Sequence, residues 1–250
     1  MPKILLPPCG RCYPDPNKRS KDVSLFSVEI RNDGSYEATC SKGHKLLFQL
    51  QHRQFEILFE MGAIAIIDGY HREAVANFAG ALEKFFEFYV HFVLLKFCTK
   101  PEVFQDMWKL LGNYSERQLG AFFLAYALDT GEDPPYVGRK PVEFRNRVVH
   151  KGYIPTREET IEYGAEIGRF IWPVLERIKS DQERLVKLLQ SERTTNKTQN
   201  ADFIAGVVFD TILSTAYEKP KDPGDLATLL SGYQHVLNAR KTQSFFGLFP

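Results

Sequence analysis

Two groups of residues in this chain have the types and spacing to do chemistry. The first lies in FRNRVVHKG, residues 144–152, which places Arg145, Asn146 and His150 close together with Arg147 and Lys151 around them. A histidine moves protons near neutral pH. An arginine donates to a phosphate through a fixed fork. Asn146 can orient either the imidazole or a substrate. These are the tools for metal-free RNA cleavage, in which the 2′-hydroxyl attacks the adjacent phosphate, a hydroxyl that DNA lacks. The same spacing also fits a plain solvated helix face, with His150 favoured near a helix C-terminus by the macrodipole.

The second group is Cys9-Gly-Arg-Cys12 followed by Cys40-Ser-Lys-Gly-His44. Two short-range pairs of soft or borderline ligands supply a tetrahedral zinc site at low ordering cost. The 27 residues between Cys12 and Cys40 leave room for a hairpin. Four protein ligands leave no open position, so the expected zinc is structural and contributes folding energy to a section too small to hold itself. Cys98 stands alone in a helical stretch and reads as a small core hydrophobe.

The elements that must position these groups fall into three sections. Residues 1–49 form a small β section resembling a zinc ribbon. VSLFSVEI (23–30), SYEATC (35–40) and HKLLFQLQ (44–51) are strand-like, with a turn signal at NDGS. Residues 50–190 are helical. The first helix covers 50–68 and stops near Gly69. The second covers 70–98 and carries two apolar stripes. Ala74, Phe78, Leu82, Phe85, Tyr89 and Phe92 make one; Val75, Ala79, Phe86, Val90, Val93 and Phe97 make the other. Such a helix is buried on two sides, by the domain core on one and by a partner helix or a second subunit on the other. Pro101 opens a shorter helix. Ser115 is the expected N-cap of the next, with Gln118 three residues later. A loop over 129–141 leads into a helix starting near Pro141 and ending at Lys151–Gly152. Thr156 and Glu159 form a capping box that opens a helix running to about 190, with a possible kink at Pro173. Residues 191–250 form a C-terminal helical extension. It starts with a polar linker, continues with helices over 201–217 and 223–240, and ends in an apolar FFGLFP that is expected to dock.

Placed on these elements, Arg145 and His150 are five residues apart, about 140° around an ideal helix. Convergence on one ligand therefore needs a long arginine reaching over, an opened last turn, or a second copy facing the first. Phe144, Val148 and Val149 anchor the other side. His71 begins the second helix beside Arg72 and Glu73 and reads as a first-turn surface residue. His52 and His91 read as structural or exposed, and His235 has no evident partner.

The totals narrow the classes. Of 250 residues, 44% are hydrophobic and 25% charged, and Phe alone contributes 20, so the chain is globular with an aromatic core. A formal net charge of +1 gives no bulk electrostatic drive toward nucleic acid, so any polyanion site must be local. No secretory segment or membrane span is legible, and the cysteine spacing is ligand-like rather than a disulfide framework; a cytoplasmic protein is expected.

Residues 50–190 also resemble the HEPN domain, the helical domain of many toxin and phage-defence ribonucleases. Its motif is Arg, a polar residue, three to five others, then His. RNRVVH (145–150) matches its shortest form through Arg145, Asn146 and His150. YHREAVANFAGALEKFFEFYV (70–90) is similar to the family's second helix, with Glu73 early and Leu82-Glu83 midway. The resemblance implies a four- or five-helix bundle that dimerises, with two motifs meeting in a cleft. It further implies metal-independent RNA cleavage leaving a cyclic phosphate, with Arg145, Asn146 and His150 catalytic. A toxin or antiviral effector, RNA as substrate, and an antitoxin or defence-system partner protein follow as expectations. The alternative is a non-catalytic module of the same fold that binds a nucleotide, RNA or a partner. A third reading is a zinc-dependent nucleic-acid-binding regulator whose helical part only dimerises.

Overall fold

The computed structural model describes residues 3–13, 26–97, 100–181, 183–186, 201–207, 211–214 and 225–231. Cys98, His235, the polar stretch 191–200 and the FFGLFP end lie outside them. The chain is mainly helical with a small β portion, and it divides into two units.

Residues 1–53 and 193–210 make the first unit. β1 (Lys3–Leu6) pairs antiparallel with β2 (Phe26–Glu29). β3 (Ser35–Thr39) pairs antiparallel with β4 (Lys45–Leu50), and β4 pairs in parallel with β5 (Phe203–Val207). The turn at NDGS forms, with Gly34 at φ +58° and its amide donating to the Arg31 carbonyl. It does not close a hairpin between its flanking strands, because β3 directs its ladder to β4 and β2 directs its own to β1.

The helix expected over 201–217 is corrected to a strand over 203–207. Ile204 and Gly206 face out while Phe203, Ala205 and Val207 turn inward, a period of two. What selects the strand is its neighbour: β4 offers a free ladder edge. Asp202 starts the pairing twice over, its amide donating to the Lys45 carbonyl and its carboxylate accepting from the Lys45 amide at 2.8 Å. β5 joins the first unit, while 211–214 and the helical 225–231 join the second.

Residues 54–192 and 211–250 make the second unit. Its helices are α1 (Gln54–Ile67), α2 (His71–Phe97), α3 (Pro101–Leu111), α4 (Ser115–Thr130), α5 (Arg139–Lys151) and α6 (Arg157–Ser180). α1 starts later than expected because β4 takes the chain as far as Leu50. α2 is the hub, packing against each of the other five. Both of its apolar stripes are taken up by the chain's own helices, apart from Phe97, which is 62% exposed. The core is aromatic. Phe55 meets Phe85 and Phe88, Phe86 meets Phe122 and Phe170, and Phe59 meets Phe78. Phe78 sits where α1 and α6 bring glycines, Gly62 and Gly164, against its ring.

α6 ends at Ser180, short of the expected 190. Asp181 leaves the helix at φ −101°, ψ 72°, and its carboxylate accepts from the Arg184 amide to start a separate turn over 183–186. Its start is as expected. Thr156 Oγ1 accepts from the Glu159 amide, and the Glu159 carboxylate accepts from the Thr156 amide at 2.9 Å. No described helix is long and apolar enough to cross a membrane.

Candidate functional site

α5 carries Arg145, Asn146 and His150 on its C-terminal half. Val148 anchors the helix, fully buried, and the half-buried Phe144 lies against the rings of Tyr153 and Tyr163. Gly152 ends the helix at φ +71°, a conformation that costs an L side chain but not glycine. The amides of Gly152 and Tyr153 return to the Arg147 carbonyl. From α2, Arg72 donates to the Val149 carbonyl, so the last turn is held from outside as well. Arg147 is not free for a ligand in this arrangement: its guanidinium lies over the rings of Tyr153, at 4.8 Å, and Phe144.

Of the three ways to bring Arg145 and His150 together, the chain uses the first, a long arginine reaching over. Arg145 Nη1 lies 3.2 Å from His150 Nε2 and donates to Asn146 Oδ1 at 3.0 Å. A guanidinium has only donors. A hydrogen bond between the two therefore has His150 Nε2 as its acceptor, in the tautomer that carries its proton on Nδ1. Arg145 Nη2 points the other way and donates to Glu83 Oε1 on α2 at 3.2 Å. His150 is exposed, and Arg145 and Asn146 are half-buried. The arrangement is an imidazole beside a positive fork at a solvent-facing helix end. It can take a proton from a hydroxyl and hold an anion next to it.

Two residues join this cluster that the motif does not contain, Glu83 and Ser115. In the sequence Glu83 enters only as a residue of the second helix. Ser115 is expected to cap α4, but Tyr114 is the N-cap and no side chain caps the helix. The Ser115 hydroxyl donates to Glu83 Oε1 instead, at 2.6 Å. Gln118, expected to complete that cap, donates to the Gly112 carbonyl. Tyr163 lies behind the cluster, and burial pushes its phenol well above the ordinary range, with Arg145 pulling the other way. His71 is half-buried at the start of α2, and His91 is buried, stacked on Phe104 at 4.0 Å.

The second group assembles in the first unit. The ligand atoms of Cys9, Cys12, Cys40 and His44 all lie within 4.8 Å of one another. Cys12 and Cys40 sulfurs are 3.8 Å apart, and His44 Nδ1 is 3.6, 3.3 and 3.5 Å from Cys9, Cys12 and Cys40. A tetrahedral ion with M–S about 2.3 Å and M–N about 2.0–2.1 Å has S···S edges of about 3.8 Å and S···N edges of about 3.6 Å. The Cys12–Cys40 edge and the three His44 edges are close to these, and the Cys9 sulfur lies within 4.8 Å of the other two sulfurs. Both knuckles are tight turns: the Cys12 and Tyr13 amides donate to the Cys9 carbonyl, and the Gly43 amide donates to that of Cys40. Gly43 takes φ +84°, and the Phe203 ring of β5 packs so closely on Gly10 that a Cβ there would meet it at 2.3 Å. The cluster can bind a metal ion.

The thiols are unequal. Burial works to raise Cys40, yet the His44 and Lys42 amides and the neighbouring thiols lower it to about 6. Cys12 is pushed up to about 11 by burial first, then by its bonds to Cys9 and Cys40. One thiolate gathers the donors that the others supply.

Compared with family models, curated proteins and solved structures, the chain matches none of them.

Proposed function

We propose that the protein is a metal-independent endoribonuclease of the HEPN type, working as a homodimer. The observation that supports this most is the Arg145–His150 contact at 3.2 Å, which sets an imidazole nitrogen beside a cation. In the proposed reaction His150 Nε2 takes the proton of the RNA 2′-hydroxyl. The 2′-oxygen bonds to phosphorus and the P–O5′ bond breaks. The 5′-oxygen leaves with a proton from an acid, supplied by the His150 of a second copy, and a 2′,3′-cyclic phosphate remains. Arg145 moves its donors from His150 onto the phosphate oxygens as charge develops, and Asn146 holds the guanidinium during the exchange. The resemblance of residues 50–190 supports a toxin or anti-phage effector as the setting. The ion that the Cys9–Cys12–Cys40–His44 cluster would hold is read as structural zinc, on the donor set and its spacing.

The test compares the full chain with His150→Ala and Arg145→Ala on labelled RNA with EDTA present. Loss of about 10²–10⁴ in rate is expected for His150→Ala. A folded wild-type dimer that leaves RNA intact refutes the reading, as does cleavage that survives both substitutions. RNA bound but uncut would favour the non-catalytic module instead.

A further inference from the structure

We propose that Glu83 and Ser115 are positioning residues that set the tautomer of His150 through Arg145. The inference rests on Arg145 and His150 being the site described above, but its readout does not depend on RNA cleavage.

The geometry is a chain across three helices. Ser115 on α4 donates to Glu83 Oε1 at 2.6 Å, and Glu83 on α2 accepts from Arg145 Nη2 at 3.2 Å. Arg145 on α5 presents Nη1 to Asn146 Oδ1 at 3.0 Å and to His150 Nε2 at 3.2 Å. The guanidinium is planar, so anchoring Nη2 on one side fixes where Nη1 points on the other. An arginine about 140° from its histidine around the helix has no local reason to cross to it. Asn146 is adjacent on the same helix and moves with it. Glu83 comes from another helix and is the fixed point.

Glu83 is itself a three-rotor side chain with 30% of its surface exposed, and the Arg145 side chain is 25% exposed. An ion pair this open is weak as an energy term. Its geometry must be held by something else, and the short bond from Ser115 does that. The hydroxyl is given up by α4, whose N-terminus goes without a side-chain cap. The consequence for His150 is specific. A neutral histidine in water prefers its proton on Nε2. Arg145 holds the Nε2 lone pair and forces the proton to Nδ1. The His150 that acts as base at Nε2 then holds the accepting tautomer rather than reaching it as the minor one.

The experiment is a ¹⁵N–¹H spectrum of histidine-labelled full chain, with His150 assigned by His150→Ala and the ring in its neutral form. Wild type is expected to show unprotonated Nε2 and protonated Nδ1. Glu83→Ala and Ser115→Ala are expected to revert toward the Nε2–H tautomer. Ser115→Thr, which keeps the hydroxyl, is expected to retain the wild-type pattern. Far-UV circular dichroism confirms that each variant is folded. On RNA, Ser115→Ala is expected to lower kcat by about tenfold with little change in KM. Wild-type nitrogen shifts in folded Glu83→Ala and Ser115→Ala overturn the inference, whether or not RNA is cleaved. So does an Nε2–H tautomer in wild type. An unreactive wild type with the expected shifts refutes only the ribonuclease reading and supports the positioning chain.

Discussion

An alanine at Gly62 would place a methyl carbon 2.6 Å from Cε1 of Phe78, with Cδ1 at 2.8 Å and Cζ at 2.9 Å. Carbons in contact sit about 3.5–4.0 Å apart, so something has to give by about 1 Å. The ring has no direction in which to retreat. A Cβ on Gly164 would meet its far edge at 2.7 Å, and the Phe59 centroid is 4.9 Å away. Overpacking of this kind costs about 1–3 kcal/mol, against a gain of about 1 kcal/mol for alanine over glycine inside a helix. Gly62→Ala is therefore expected to destabilise wild type by about 1 kcal/mol. In a Phe78→Leu background the clash is gone and the helix term remains, so the same substitution is expected to stabilise by about 1 kcal/mol. Urea unfolding of the four proteins, followed by far-UV circular dichroism, measures the cycle. Stabilisation of wild type by Gly62→Ala, or the same sign in both backgrounds, refutes the wedge. The matter bears on function because α2, seated by Phe78, carries Glu83 little more than a turn further on.

Two further predictions concern charge. In metal-free protein at pH 7 the Cys40 and Cys12 thiols, at about 6 and about 11, differ in thiolate population by roughly 10⁴. The weaker nucleophilicity of the more acidic thiol returns about two powers of ten, so iodoacetamide is expected to label Cys40 roughly 100-fold faster than Cys12. Zinc is expected to protect both, and equal rates read by peptide mass spectrometry would count against the donor geometry of the knuckle. Elsewhere, Arg177 grips both oxygens of Glu132 and holds its carboxyl below the usual 4.5. A depressed carboxyl stabilises the fold above its unfolded pKa and stops doing so as pH falls through the folded one. Glu132→Gln should therefore melt below wild type at pH 7, and the gap should close below about pH 4.5. A gap that persists at pH 3 would show that the pair contributes through packing and not charge.

What was legible in the sequence was local. The helices of 54–180 announce themselves by periodicity. Gly152 ends α5 in the left-handed region, and Thr156 with Glu159 closes a capping box four residues long. The four residues that can bind a metal come as two short pairs, each preorganised by its own turn, so spacing alone suggested that they would meet. What was not legible depended on partners far along the chain. The segment 203–207 has a pattern that a helix could use, and only β4, ending more than 150 residues earlier, makes it a strand. Ser115 has the residue type to cap α4 but is its first helical residue, after Tyr114. Its hydroxyl donates to Glu83, 32 residues away. Arg145 and His150 diverge on an ideal helix, and the fork that joins them is set by Glu83, 62 residues from Arg145. The sequence by itself determined which groups are present and which turns and helices carry them, because caps, turns and periodicity act within a few residues. The tertiary structure decided where each hydroxyl, carboxylate and guanidinium is directed, because a polar side chain goes to the strongest acceptor or donor within reach. That reach is created only when distant helices pack.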